Sequence, residues 1–349
     1  MEKTIRIKDR VIGDDSPCYI IAEMSANHAG NIDRAIEIIY AAKASGADCI
    51  KLQTYTPDTI TINCNNEYFR IKSGTWQGEN LYELYGKAYT PWEWHGKLKE
   101  EADKIGIDFL STPFDKTAVD FLEDLGVCCY KIASFELVDL PLIRYVAAKG
   151  KPIIMSTGMG SLGEIEDAVN TVRSQENEQL CLLKCSSAYP AISADMNLKT
   201  LRNLKETFNL PVGLSDHSMG SIGAVAAVAL GASVIEKHFC LSRTIENPDA
   251  SFSMEPYEFK SMVDDIRTAE KAIGKISYDL SELEKNSVVF RKSIFSVRDI
   301  RKGEMLSEAN IRVIRPGYGL APKYYQQIIG MKATLDIPVG SPIEWKMVE

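Results

Sequence analysis

Several large protein classes are excluded by what this sequence lacks. No window reaches the ~18 consecutive apolar residues of a membrane-spanning helix. An excess of basic residues is missing too: 40 Lys and Arg stand against 48 Asp and Glu, a formal charge of -8. That balance argues against a nucleic-acid-binding face, although an anionic small molecule needs only a few local positive groups. The opening stretch MEKTIRIKDRVIGDDSP is charged and carries no apolar core of signal-peptide length, so a cytoplasmic protein is expected. The eight cysteines, at 18, 49, 64, 128, 129, 181, 185 and 240, form no C-x-x-C pair. Most stand in apolar, strand-like runs, where a thiol behaves as a small hydrophobe, and reduced core thiols are expected. Histidine is scarce, with four in 349 residues. No G-x-G-x-x-G follows the first apolar run, which counts against a doubly wound, dinucleotide-type sheet.

What is present is alternation. Between residues 18 and 274, short apolar runs are separated by longer amphipathic ones. The apolar runs are CYIIAEM (18–24), DCIKLQT (48–54), IDFLST (107–112), CCYKIAS (128–134), PIIMST (152–157), LCLLKCS (180–186), PVGLSD (211–216) and SVIEKHF (233–239). They are nearly continuously apolar, as parallel strands covered on both faces should be. Stretches such as IDRAIEIIYAAKASG (32–46), TAVDFLEDLG (117–126) and SLGEIEDAVNTVRSQ (161–175) have helical periodicity, and glycines at 46, 126 and 231 suit helix ends. Eight strand–helix repeats predict an α/β fold, a (β/α)8 TIM barrel over residues 1–277, with IRIKDRVI as a small hairpin across its bottom. An open doubly wound sheet is the competing arrangement. Residues 278–292 read as a linker. From 293 to 349, short β runs broken by Gly and Pro predict a small all-β domain, of a size marginal alone, leaning on the barrel or on a second subunit.

Active sites of such barrels lie at the C-terminal strand ends. Polar residues close nearly every apolar run: Glu23; Lys51 and Gln53; Thr112; Lys131, Ser134 and Glu136; Ser156; Lys184, Ser186 and Ser187; Ser215, Asp216 and His217; Glu236, Lys237 and His238. Unpaired buried charges cost on the order of several kcal/mol each, so charges in most strands of one barrel imply a common ligand. Lys51 and Lys131 can form salt bridges inside the mouth. They can equally clamp the phosphate and carboxylate of a small dianion such as phosphoenolpyruvate (PEP), with Ser134, Ser156, Ser187 and Ser215 as hydroxyl donors. A desolvated barrel lysine can also form a Schiff base. His217 and His238 close the last two strands, which are neighbours, and two imidazoles there point to Mn2+ or a similar divalent ion with open positions. His28 is expected in the loop after the first strand, and His95 in a helix, either structural or at a pocket edge.

The runs IIAEMSANHAGNIDRA, GADCIKLQTY, FLSTPFD, YKIASFEL, IIMSTGM, CSSAYPA, GLSDHS and VIEKHF resemble the sialic acid synthases in order and spacing. The tail, with IRPGYGLAP, resembles the antifreeze-protein-like (SAF) domain of that family. The resemblance implies a TIM barrel with a C-terminal β-clip domain, a domain-swapped homodimer, and a PEP-dependent transferase. It implies PEP contacts at Lys51, Thr112, Lys131, Ser134, Ser156, Ser187 and Ser215, and a divalent metal (Mn2+ first, Mg2+ or Co2+ as substitutes) on His217 and His238. It implies an acceptor sugar at Glu23, Gln53, Glu136, Tyr189, Asp249 and, from the partner's small domain, Arg315. Glu23 or Glu136 would then be the general base, and Lys131, His217 and His238 complete the catalytic set. Segment 74–95, GTWQGENLYELYGKAYTPWEWH, resembles the pseudaminic acid synthase branch, whose acceptor is 2,4-diacetamido-2,4,6-trideoxy-altrose. Its six aromatics suit methyl and acetyl groups, or are ordinary helix packing. N-acetylneuraminate and legionaminate synthases are the near alternatives; a Schiff-base aldolase using Lys131 and a non-catalytic carbohydrate-binding protein are the distant ones.

Overall fold

Eight nearly uninterrupted apolar strands have two faces to bury, and a closed barrel ringed by helices buries both. The structure, a computed structural model, describes residues 4–13 and 16–349. A hairpin of β1 (Ile5–Ile7) and β2 (Arg10–Ile12) comes first. The barrel strands are β3 (Tyr19–Glu23), β4 (Cys49–Thr54), β5 (Asp108–Pro113), β6 (Tyr130–Ile132), β7 (Ile153–Ser156), β8 (Leu180–Cys185), β9 (Val212–Asp216) and β10 (Val234–His238). They pair in parallel in chain order, and β10 closes on β3 with His238 opposite Glu23. The open-sheet alternative is thereby set aside.

Local chemistry starts and stops the outer helices where the sequence signals them. Asp115 accepts from the Thr117 and Ala118 amides at the start of helix Lys116–Leu125, and Gly126 ends it at φ 75°. Ser161 and Glu164 form a capping box on helix Leu162–Arg173. Among the described residues no helix is long and apolar enough to cross a membrane.

Strand parity divides the core in two. Ile20, Ala22, Ile50, Leu52, Tyr130, Ile132, Met155, Leu182 and Ile235 belong to the large cluster between strands and helices. Their sequence neighbours Tyr19, Ile21, Cys49, Leu110, Cys129, Ile154, Cys181, Leu183 and Val234 form a second cluster, the barrel interior. Ile5, Ile7 and Ile12 of the hairpin join that interior cluster and plug its lower end. Continuing the period of two upward, Glu23, Lys51, Thr112, Lys131, Ser156, Cys185, Ser215 and Glu236 form the next layer inside the barrel. Gln53, His217 and His238 stand above them.

Residues divide into two compact units, Met1–Gly274 and Lys275–Glu349. In the second unit β11 (Ser293–Ser296) pairs antiparallel with β12 (Ile311–Ile314). Isolated bridges such as Ile300 to Ile337 and Ala333 to Val348 tie the rest together around Ile294, Leu306, Ile311, Ile328 and Ile343. The unit is less purely β than its sequence suggests: a short helix spans Tyr325–Ile328, and the stretch read as a linker carries helix Glu282–Ser287.

Candidate active site

Four charges meet inside the barrel. The Lys51 ammonium contacts the Glu23 carboxylate and lies 3.6 Å from Glu236 Oε1. Lys131 Nζ is 3.7 Å from the same oxygen and donates to Ser156 Oγ at 2.8 Å. Ser215 Oγ donates to Glu236 Oε1 at 3.3 Å, and Lys51 Nζ to Thr112 Oγ1 at 3.5 Å. All of these side chains are buried. Burial opposes each charge, and the partners decide the outcome. Burial lowers Lys131 despite the pull of Glu236. For Lys51, Glu23 and Glu236 outweigh burial and raise it. For Glu236, Lys131 and Lys51 outweigh burial and lower it. Two ammonium groups set against two carboxylates are balanced among themselves, so an arriving anion must be met by rearranged ion pairs and by hydroxyls.

Those hydroxyls lie above Lys131. The Gly158 amide donates to Ser134 Oγ at 3.1 Å. A Cβ at Gly158 would strike Ser187 Oγ and lie 2.6 Å from Ser134 Oγ. Glycine there lets the backbone press into a cleft between two serines that come from different strand ends.

The histidines form the next tier. The His217 and His238 rings are 5.3 Å apart. His217 Nδ1 donates to the Ser186 carbonyl at 3.1 Å, which leaves the Nε2 lone pair for a ligand, as metal-binding imidazoles are arranged. Burial, with the His217 and Lys51 charges adding to it, holds His238 well below the usual imidazole range, and its buried Nδ1 has no hydrogen-bond partner. Two imidazole nitrogens side by side, that of His238 held neutral by burial, fit a divalent ion that keeps open positions. Among the described residues no group of three or more His, Cys, Asp or Glu side chains is assembled to hold a metal, so substrate and water would fill the remaining positions. Tyr189 packs over the pair at 4.3 Å from His217, and Phe252 stands 5.0 Å from His238.

A polar net closes one side. Ser25 Oγ donates to Asp249 and accepts from Gln53 Nε2 at 3.0 Å, while the Ser25 amide donates to Glu23 Oε1 at 2.7 Å. Ser25 holds φ at 45°, in the left-handed region that non-glycine residues rarely occupy. Such strain persists where the surroundings over-determine it, and here three site residues do so. After β6, Glu136 is half-buried with a buried Oε2 that has no hydrogen-bond partner, and burial pushes its carboxyl up to about 7.

Residues 38–278 match the NeuB family and residues 291–349 the SAF domain. The chain belongs to the NeuB family. It is 48% identical to a pseudaminic acid synthase of Campylobacter jejuni over 95% of this chain and 96% of that one. It is 45% identical to the pseudaminic acid synthase of Helicobacter pylori over 95% and 98%. The crystal structure of an N-acetylneuraminic acid synthetase from Leptospira borgpetersenii superposes with a TM-score of 0.74 at 31% identity, covering 82% of this chain and 96% of that one.

Within this NeuB-family barrel the residues singled out in the sequence do not all converge. Glu23, Lys51, Thr112, Lys131, Ser156, Ser215 and Glu236 share the interior tier, and Gln53, Tyr189, His217, His238 and Asp249 border its mouth. Asp216 and Lys237 do not join them. Their side chains pair with each other at 2.7 Å, fully buried on the outer face, because each sits one residue out of phase with an inward neighbour. Lys184 is out of phase in the same way and donates to the Cys185 carbonyl at 2.9 Å. His28 donates to Thr90 at 3.2 Å against the Trp94 ring, and His95 bonds Thr54 at 2.8 Å; both are packing residues. Arg315 follows β12 in the second unit. Sequence reading missed Ser25, Gly158 and Phe252 as site residues, and took Cys185, which lies 3.8 Å from His217 Nδ1, as a core thiol. Only the small residues of the MSAN and STGM motifs hinted at the first two.

Proposed function

We propose that the chain condenses PEP with 2,4-diacetamido-2,4,6-trideoxy-altrose to give pseudaminate and phosphate. The 48% identity to a pseudaminic acid synthase along nearly the whole chain carries this reading, and the paired lysines and serines inside the barrel support its PEP half. Lys51 and Lys131, with Thr112, Ser134, Ser156, Ser187 and Ser215, hold the phosphate and carboxylate of PEP. Glu23, Gln53, Tyr189 and Asp249 orient the open-chain sugar so that C3 of PEP attacks its aldehyde carbon. Water then adds at C2 of the resulting cation. The tetrahedral intermediate expels phosphate together with the bridging oxygen of PEP. Glu136 takes the proton of that water: it is unpaired and titrates near neutrality, whereas Glu23 is engaged by Lys51. A divalent ion on His217 and His238, Mn2+ before Mg2+ or Co2+, would supply Lewis-acid polarisation of the aldehyde oxygen.

Phosphate release from PEP across a panel of 2-acetamido and 2,4-diacetamido hexoses tests the assignment. The trideoxy diacetamido altrose should give the highest kcat/KM, and bridging 18O should appear in phosphate. A preference for N-acetylmannosamine or the legionaminate precursor would reassign the sugar, and label kept in the organic product would sink the mechanism. The lowered pKa of Lys131 is the observation that favours a Schiff-base aldolase, which borohydride with substrate would trap as a covalent adduct.

Three outcomes arise from the site. Chelation should abolish turnover, Mn2+ should restore it, and His217→Ala should bind less metal by equilibrium dialysis while remaining folded. Gly158→Ala forces a methyl between two serines; overpacking of this kind costs about 1–3 kcal/mol, so KM for PEP should rise on the order of tenfold or more. The homodimer belongs to this proposal as well, with Arg315 of one subunit serving the acceptor site of the other. Inactive Arg315→Ala and Lys131→Ala chains, refolded together, should then recover roughly a quarter of the sites. No recovery, with mixed dimers present, would place Arg315 in its own subunit's service.

A further inference from the structure

Six aromatics, Trp76, Tyr82, Tyr85, Tyr89, Trp92 and Trp94, crowd the segment between β4 and β5, and the structure gives them different tasks. Trp92 stacks on Phe121 at 4.8 Å and donates its indole N–H to the Tyr55 carbonyl. Trp94 packs on His28 and Tyr85 on Tyr55, each at 5.5 Å. Tyr82 bonds Asp58 through its hydroxyl, and Tyr89 ends helix Leu81–Ala88. Trp92, Trp94, Tyr85 and Tyr82 thus hold the segment to itself and to its neighbours.

Trp76 is the one of the six that crosses the mouth. Its ring lies 5.6 Å from Tyr189 and 6.5 Å from Phe252. Those two rings are the ones that flank His217 and His238. Its Nε1–H donates to the Pro248 carbonyl at 3.0 Å, and the neighbouring Thr75 hydroxyl donates to the Tyr189 carbonyl. A chain segment leaving β4 is thus fastened to the loop after β8, across the opening, and to the loop after β10, two strands away.

We propose that Trp76 is a specificity-determining residue, which extends the Tyr189–Phe252 wall and packs on a methyl-bearing group of the acceptor. The inference rests on the amino-sugar reading above and sharpens it to one side chain. The indole has a single donor, and that donor is already spent on Pro248. What remains for the ligand is an aromatic face without hydrogen-bonding capacity. A methyl gains contact there, while a hydroxyl loses the bonds it made to water.

The bond to Pro248 offers a rival explanation, since that residue precedes Asp249: Trp76 could serve only as a tether for the acidic loop. Two variants separate the roles. Trp76→Phe removes the tether and keeps an aromatic face; Trp76→Ala removes both. Steady-state kinetics on each would use PEP with the trideoxy diacetamido altrose, its 6-hydroxy counterpart and N-acetylmannosamine. For Trp76→Ala the preference for the wild type's best methyl-bearing acceptor should shrink about tenfold or more, through KM for the sugar, with KM for PEP unchanged. Trp76→Phe should retain most of the preference. Thermal melting checks both chains, and Trp76→Leu replaces the alanine variant if that one is unstable. Equal loss on all acceptors, a parallel rise in KM for PEP, or a phenylalanine variant as impaired as alanine would overturn the proposal in favour of the tether. A wild type that prefers N-acetylmannosamine would defeat the pseudaminate reading, and the shrinkage across the panel would still decide the role of Trp76.

Discussion

Glu136→Gln should lower kcat by about 10²–10⁴-fold, the range a positioned general base contributes, with little change in KM for PEP. The pH profile gives the sharper check. Burial raises the Glu136 carboxyl to about 7, and a base acts in its ionised form. Activity should therefore climb as pH rises through about 7 and level off above it, and the glutamine variant should lose that limb. An acid catalyst would give the opposite slope. Stability runs the other way. A carboxyl raised on folding ionises first in the unfolded chain, so wild-type stability should fall as pH rises from the ordinary carboxyl range to about 7 and level off above it. Glutamine should flatten that dependence. A rising limb that survives in Glu136→Gln would assign the proton transfer to another group.

Two buried lysines on β-strand ends should respond in opposite ways to the same substitution. Lys131→Met removes an ammonium from the interior tier, but Glu236 keeps Lys51 at 3.6 Å and Ser215 at 3.3 Å. The expected result is a modest loss of stability and a loss of turnover on the order of 10²–10³ or more, as for removal of one preorganised electrostatic donor. PEP should raise the melting temperature of the wild type and not that of this variant. Lys237→Met leaves Asp216 without its ammonium on the outer face, where both side chains are 0% exposed. Breaking such a pair costs about 3–5 kcal/mol. The melting temperature should drop sharply, while whatever remains folded keeps its KM values. Reversed outcomes would mean that strand parity has been assigned to the wrong faces.

This contrast marks where sequence reading ends. Charges at positions 236 and 237 look alike in VIEKHF, and so do the polar residues at 215–217 in GLSDHS. In a half-exposed strand, alternation of polar and apolar residues would tell the faces apart. Here both faces are apolar over most of each strand, one against helices and one against the barrel axis, so no alternation survives to be read. Only closure of the barrel decides that Glu236 faces Lys131 and that Lys237 faces Asp216.

The same division holds elsewhere. Strand count, parallel order and the helices between strands follow from local patterning: apolar runs of strand length, helical periodicity, and caps such as Asp115 and Ser161 act within a few residues of where they are read. The pair His217 and His238 was legible for a related reason, since neighbouring strands in a barrel bring consecutive strand ends together; the family was legible from the resemblance of its motifs. Contacts between distant segments were not legible. The left-handed Ser25 is held by Glu23, Gln53 and Asp249, Gly158 fits between Ser134 and Ser187, and Trp76 reaches Pro248 across 172 residues of chain. Sequence determined the elements because their energetics are local; tertiary structure decided which side chains meet, because that depends on how segments far apart in the chain are brought side by side.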